Sequence, residues 1–413
     1  MQKTPKGYRL HIGIFGRRNV GKSSLLNALT RQQVSIVSEV AGTTTDPVEK
    51  PMELLPIGPV LFIDTAGIDD VGALGAMRVE RTRQIFDRAD VGVLVTQAGQ
   101  WGPFEEQVLA EFGNRRIPAV VVLNKTDLAE PPAELCSQLA ARKVLTVRTV
   151  ASRGEGVLEL REALIRVAPD EFINAPHLIG DLVRAGELIV LVVPIDLEAP
   201  KGRLILPQVQ AIRDVLDVDA YCLVVKEREL RDALEGLKRP PKLVVTDSQG
   251  FLKVAGDTPP DVPLTSFSIL FARYKGDLNE FVRGAMAIDR LKPGDRVLVA
   301  EACSHHPIGD DIGRVKIPRW LCQYVGGKLE FTSVQGHDFP EDLTPFRLVV
   351  HCGGCMWNRR EMLSRVLRCR KAGVPITNYG LTIAYSLGIF ARSLGPFPSC
   401  LEIYRSLASQ GSS

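Results

Sequence analysis

Gly16-Arg17-Arg18-Asn19-Val20-Gly21-Lys22-Ser23 is the stretch on which the fold turns. It follows the alternating apolar residues Leu10, Ile12 and Ile14 and opens into Ser24-Leu25-Leu26-Asn27-Ala28-Leu29. The order is strand, glycine loop, helix, the context that a G-x-x-x-x-G-K-[ST] pattern needs. Gly16 and Gly21 let the backbone fold back, so that the N–H groups of Asn19, Val20, Ser24 and their neighbours line one concavity. The helix N-terminus behind them adds partial positive charge. Lys22 is expected to reach the outer phosphates, and the Ser23 hydroxyl to hold magnesium. These residues predict a nucleotide site.

Working outward, apolar runs at Val60–Ile63, Val91–Val95, Ala119–Leu123 and Val144–Val150 alternate with helical patterns. That alternation predicts an α/β fold with a mainly parallel sheet covered by helices. Two further polar motifs fall at strand ends, where such sheets place their ligands. Asp64-Thr65-Ala66-Gly67 follows the Val60 run. Its carboxylate suits water-mediated magnesium, and the Gly67 N–H suits a γ-phosphate. Asn124-Lys125-Thr126-Asp127 follows the Ala119 run. A carboxylate at Asp127 accepts two hydrogen bonds from the N1–H and 2-amino group of guanine. Adenine has no such donor pair, so the expected nucleotide is GTP.

With 413 residues the chain is too long for one ordinary core. Hydrophobic residues make up 45%, as in a soluble globular protein, and no apolar run is long enough to span a bilayer. The N-terminus has no apolar leader segment. A net charge of +3 argues neither for nor against nucleic acid. Eight cysteines without an export signal point to a reducing compartment, with cytoplasm the expectation.

Ala168-Pro169-Asp170 closes the first pattern, giving a GTP-binding domain over 1–168. In 169–265 the runs Leu188–Val193, Ala220–Val225 and Lys242–Val245 read as three strands, with helices at Pro207–Leu216 and Glu227–Leu237. So thin a sheet has exposed edges, and pairing across a twofold axis would cover one of them. This reads as a dimerisation domain, with Cys222 a buried strand residue.

In 266–413, strands at Arg296–Ala300 and Arg347–Val350 run into Cys303-Ser304-His305-His306 and His351-Cys352-Gly353-Gly354-Cys355. Three thiols and several imidazoles form a soft-ligand site, suited to zinc or to an iron–sulfur cluster. Cys136, Cys322, Cys369 and Cys400 lack companions at ligand spacing, and His11, His177 and His337 are isolated. The arginine-rich run from Arg359 to Arg370 reads as a helix with a solvated or partner-binding face.

The first segment resembles the TrmE–Era–EngA GTPases. Gly42-Thr43-Thr44-Thr45-Asp46 is similar to the first switch of the TrmE group, G-T-T-R-D. That resemblance implies a γ-phosphate and magnesium contact at Thr44, with Thr43 next, while Thr45 replaces the family arginine. It aligns Val150-Ala151-Ser152 with the fifth guanine motif, which implies a base contact at Ala151. Ile68 stands where Ras-like enzymes carry a water-orienting glutamine, so slow intrinsic hydrolysis is expected. In TrmE-like relatives an asparagine at the position of Asn19 helps hold potassium, which implies potassium activation; the alternative is a loop-stabilising amide.

The whole chain resembles the HydF family of GTPases that mature FeFe-hydrogenase. The resemblance rests on the TrmE-type GTPase, Lys201-Gly202-Arg203-Leu204-Ile205-Leu206-Pro207-Gln208 in the middle domain, and the C-x-H…H-C-x-x-C pattern. It implies a 4Fe–4S cluster on Cys303, Cys352 and Cys355 and a di-iron precursor as cargo. The fourth ligand stays open among His305, His351, Asp310 and an external group. The implied partners are radical-SAM maturases, apo-hydrogenase and a second copy of the chain, with no membrane and no nucleic acid. Two other readings are an RNA- or ribosome-associated GTPase with structural zinc, and a thiol redox protein using Cys352 and Cys355.

Overall fold

The computed structural model describes residues 6–30, 48–54, 58–64, 83–169, 177–194, 204–302 and 311–410. The chain divides into two compact units, Met1–Ala175 and Pro176–Ser413.

In the first unit, β1 (Leu10–Phe15), β2 (Val48–Leu54), β3 (Gly58–Asp64), β4 (Val91–Gln97), β5 (Ala119–Asn124) and β6 (Leu145–Thr149) form one sheet. The strand order is β2-β3-β1-β4-β5-β6. All neighbours are parallel except β2, which runs antiparallel to β3. The sequence signal for β2 is weak because Pro51 and three charged or polar positions break its apolar pattern. An edge strand tolerates such a residue, since the missing N–H faces outward. The central strands are buried on both faces and read as continuous apolar runs. Leu10, Ile12 and Ile14 point into one core with Leu25 and Leu164. Phe15, Ile63 and Leu94 point into the other with Phe86 and Phe112. Around the sheet lie α1 (Lys22–Thr30), α2 (Pro103–Asn114), α3 (Ala133–Ala141) and α4 (Val157–Val167). Helix α2 starts on Pro103, with Glu105 accepting the Gly102 N–H at 2.9 Å.

The second unit holds two parallel sheets. β7 (Leu188–Val192), β8 (Tyr221–Val225), β9 (Leu243–Thr246) and β10 (Leu264–Ser266) take the order β10-β9-β7-β8. The sheet thus has four strands where the sequence suggested three. β10 is too short for its periodicity to register, and it pairs along β9. α5 (Leu206–Asp217), α6 (Leu230–Glu235) and α7 (Phe251–Asp257) connect these strands. β8 is an edge, with Tyr221 53% exposed, and Cys222 on it is half-buried rather than buried.

After α8 (Phe267–Lys275) and α9 (Leu278–Met286) comes the second sheet. It consists of β11 (Arg296–Glu301), β12 (Glu330–Gln335), β13 (Leu348–His351) and β14 (Ile376–Asn378), ordered β12-β11-β13-β14. β12 and β14 lacked a clear apolar signature: one is half-exposed and the other has three residues. α10 (Ile317–Val325), α11 (Arg359–Lys371) and α12 (Tyr379–Ser386) pack around it, followed by α13 (Phe390–Ser393) and α14 (Pro398–Gln410). Asn378, at the end of β14, ties this sheet to the first turn of α8. Its Oδ1 caps α12 at Leu381, and its Nδ2 donates to the carbonyl of Ser268 at 2.9 Å.

Candidate functional site

The glycine loop joins β1 to α1. Gly16 (φ +153°) and Gly21 (φ +99°) sit where a side chain would collide: a Cβ would lie 2.3 Å from the Val95 carbonyl oxygen and 2.2 Å from Asn124 Nδ2. Asn19 itself takes φ +63°, in the left-handed region that asparagine enters more readily than most residues. Lys22 is buried, and its ammonium donates to the carbonyls of Gly16 (2.8 Å) and Arg17 (2.7 Å). The loop is therefore curled around its own lysine.

Residues from β5 and β6 brace it. Asn124 donates from Nδ2 to the Val20 carbonyl at 2.8 Å. Its Oδ1 accepts the Thr149 hydroxyl (2.9 Å) and the Ala151 N–H (3.0 Å). Lys125 donates to the Asn19 carbonyl at 2.7 Å. One network thus joins the phosphate loop, the Asn124-Lys125-Thr126-Asp127 motif and the Ala151 turn. The Asp127 carboxylate lies 3.8 Å from Arg153 at the rim.

Asp64 ends β3, where the Ser23 hydroxyl donates to its Oδ2 at 3.3 Å. Burial raises its pKa above the usual carboxylate value, against the pull of Lys22 and Ser23. Its other oxygen is buried with no hydrogen-bond partner among the described residues. A carboxylate with one unanswered oxygen beside a hydroxyl is a donor set that fits magnesium. Ser24 is exposed on the first turn of α1. Thr43, Thr44, Gly67 and Ile68 lie outside the described residues.

The cysteine site is built at the ends of β11 and β13. The Cys352 N–H donates to the Ala300 carbonyl at 2.9 Å, continuing the ladder one residue past β13. Its sulfur accepts the Ala302 N–H at 3.0 Å. Burial pushes the Cys352 thiol up to about 12, with the Cys355 sulfur adding to the rise. Burial also raises Cys355, while the charge of Lys275 draws it back. Both thiols are free. Paired, desolvated sulfurs with backbone N–H groups aimed at them fit a soft metal or cluster, which binds the deprotonated form. Cys303, His305, His306 and Asp310 lie outside the described residues, and no group of metal-binding side chains assembles among those described.

His351 is the last residue of β13 rather than a residue beyond it, and it is fully buried. Arg365 Nη1 donates to its Nε2 at 3.2 Å, and an arginine has no acceptor. Nδ1 must therefore carry the proton, which it donates to the Cys352 carbonyl at 2.8 Å. Burial, aided by Arg365, holds the imidazole down at about 3. Both nitrogens are engaged, so this neutral ring braces the Cys352 backbone and offers no lone pair to a metal in this arrangement. Arg365 is itself buried, 4.0 Å from the Trp357 ring centroid and 4.5 Å from that of Phe339. The arginine run of α11 is thus turned half inward, because Arg365 and Arg368 also donate to the carbonyls of Gly336 and Pro340. Against the solvated or partner-binding face expected of this run from the sequence, Arg365 on it is buried.

The other single cysteines and histidines have local roles. Cys369 and Cys400 are buried, Cys136 and Cys322 half-buried. His11 is buried against the Lys6 carbonyl, His177 meets Asp214, and His337 pairs with Glu361.

A mainly parallel sheet with a phosphate loop after β1, and with Asp64 and Asn124 at the C-terminal ends of β3 and β5, defines a P-loop GTPase. Residues 11–125 match the family model described as a 50S ribosome-binding GTPase. Residues 178–276 match the hydrogen maturase F dimerization domain, and residues 279–396 the hydrogen maturase F tetramerization domain. With these three parts in this order, the chain belongs to the hydrogen maturase F family, a GTPase part standing ahead of the two maturase domains. The tRNA modification GTPase MnmE of Synechococcus sp. is 44% identical over 37% of this chain and 32% of its own length. Its counterpart from Burkholderia thailandensis is 40% identical over 38% of this chain and 35% of its own length. The chain thus spans about a third of these relatives, and the likeness is confined to the GTPase part. Among solved structures, Era of Aquifex aeolicus matches 60% of this chain and 99% of its own, at 22% identity and TM-score 0.34. Among the described residues no helix is long and apolar enough to cross a membrane.

Proposed function

We propose that this GTPase is an iron–sulfur scaffold that receives a di-iron precursor and delivers it to apo-hydrogenase. The observation that carries the reading is the pair of free, half-buried thiols at Cys352 and Cys355, set at the end of β13 within a hydrogenase-maturase domain. Segments 1–168, 169–265 and 266–413 serve as GTP-binding, dimerisation and cluster-binding domains. Cys303, Cys352 and Cys355 would hold a 4Fe–4S cluster, with His305 a candidate for the remaining position. When bound, the cluster supplies an iron with an exchangeable site at which cargo can dock.

The chain's own residues do the rest. His351 and the Ala302 N–H fix the orientation of Cys352, and burial disfavours its bare thiolate. At the other site, Lys22 meets the outer phosphates. Ser23 and Asp64 hold magnesium, Thr44 and Gly67 contact the γ-phosphate, and Asn124, Asp127 and Ala151 surround the guanine. Turnover is slow, with potassium beside Asn19 accelerating it; equal rates in sodium and potassium would remove that element. Hydrolysis releases the γ-phosphate contacts and thereby alters the surface offered to radical-SAM maturases and apo-hydrogenase in the cytoplasm.

The test is iron and acid-labile sulfide content, with a visible spectrum, on protein purified without oxygen. About four irons per chain, lost in Cys303→Ala, is the expected result. Stoichiometric zinc without iron after anaerobic reconstitution would overturn the scaffold in favour of a GTPase with structural zinc.

A further inference from the structure

We infer that Arg17 and Glu105 are positioning residues for nucleotide binding, acting through the ammonium of Lys22. Arg17 lies within the glycine loop, yet its side chain is committed to α2. Nε donates to Glu105 Oε1 at 2.7 Å and Nη2 to Oε2 at 2.9 Å, a two-pronged match of guanidinium to carboxylate. The Glu105 side chain is 1% exposed. It is fixed before it meets the arginine, because Oε2 also accepts the Gly102 N–H at the start of its own helix, at 2.9 Å. The guanidinium lies 5.2 Å from the centroid of the Phe104 ring.

The other end of the same residue reaches the chemistry. The Arg17 carbonyl accepts Lys22 Nζ at 2.7 Å, one of two carbonyls that aim the ammonium. A carboxylate this desolvated is costly unless paired, and surface ion pairs elsewhere in the unit would brace the fold without that cost. Its placement makes sense as a fixed point for the loop. Releasing the fork lets the Arg17 carbonyl drift and with it the charge that meets the phosphates. Because that charge acts on bound nucleotide and transition state alike, the loss appears in KM rather than kcat.

The inference rests on reading the loop as the phosphate site, so Lys22→Ala is measured alongside. Glu105→Gln keeps the shape and removes the charge. The expected result is a rise of about tenfold in the Kd for both GTP and GDP, a similar rise in KM, and kcat within about twofold. Arg17→Lys, which keeps the charge without the fork, should show the same split to a smaller extent. It carries the test alone if Glu105→Gln does not fold. A lowered melting temperature with unchanged nucleotide affinity would make the pair a structural brace and overturn the inference. Unchanged affinity in Lys22→Ala would instead remove the loop reading on which it stands.

Discussion

The nucleotide site and the cysteine site both lie at the C-terminal ends of parallel strands, but opposite forces make them. At the nucleotide site polar groups answer one another: Asn124 alone joins the Val20, Thr149 and Ala151 backbones or hydroxyls within 3.0 Å. At the cysteine site the Cys352 sulfur accepts the Ala302 N–H while a locked histidine holds the Cys352 carbonyl, and burial disfavours the thiolate. The first arrangement holds an anion that arrives with its own magnesium, so it must be preorganised and polar. The second raises the cost of bare thiolates, so a bound metal would be what compensates their charge under the proposed function. Preorganisation by hydrogen bonds and preorganisation by desolvation are thus separable, and each can be broken alone.

The largest effect is expected from Lys22→Ala. Steady-state GTP turnover should fall in kcat/KM by at least about 100-fold, because the charge that meets the phosphates in both bound nucleotide and transition state is lost. Iron bound by the same variant should equal that of the unaltered protein. A parallel loss of iron would show that the two sites are not separable.

Arg365→Met attacks the other side. It removes the guanidinium between Trp357 and Phe339 and leaves the buried His351 Nε2 without its donor. Destabilisation of the second unit by about 3 kcal/mol is expected, read from denaturant unfolding of the full chain. GTP turnover below the transition should not change.

The smallest of the three sharpens the role of charge in the first unit. Glu49 pairs with Arg88 at 2.7 Å and with Lys6. Burial opposes its ionisation, but these two cations win and hold it at about 2, below the ordinary 4.5. A depressed carboxylate stabilises the fold above its unfolded value and loses that contribution as pH falls toward the folded one. Glu49→Gln should therefore cost about 2 to 3 kcal/mol at neutral pH. The difference from the unaltered protein should shrink between pH 4.5 and about 2. A gap independent of pH would assign the loss to packing.

Much of the nucleotide site was legible because its chemistry is local. Gly16, Gly21, Lys22 and Ser23 act through eight consecutive residues, and a pattern of that length survives in the sequence. The cysteine pattern is equally local, and the structure brings Cys352 and Cys355 to the end of β13. The strands that went unread were β2, β10, β12 and β14, each short, at an edge or half-exposed. Their apolar periodicity is weak because burial on one face, or over three residues, demands little of the sequence. His351 was read as an open ligand candidate, since a histidine beside a cysteine advertises coordination. Only Arg365, fourteen residues later and one helix away, takes its remaining lone pair.

The sequence by itself determined the reaction class, because backbone-permissive glycines and a lysine carry that property wherever they are placed. The tertiary structure decided which side chains work in pairs. Arg17 and Glu105 are 88 residues apart, and Asn124 and Val20 are 104 apart. Such couplings depend on strand order and on the direction in which each helix leaves the sheet. No local pattern records them, since a hydrogen bond constrains the positions of two groups in space and leaves the residues between them free.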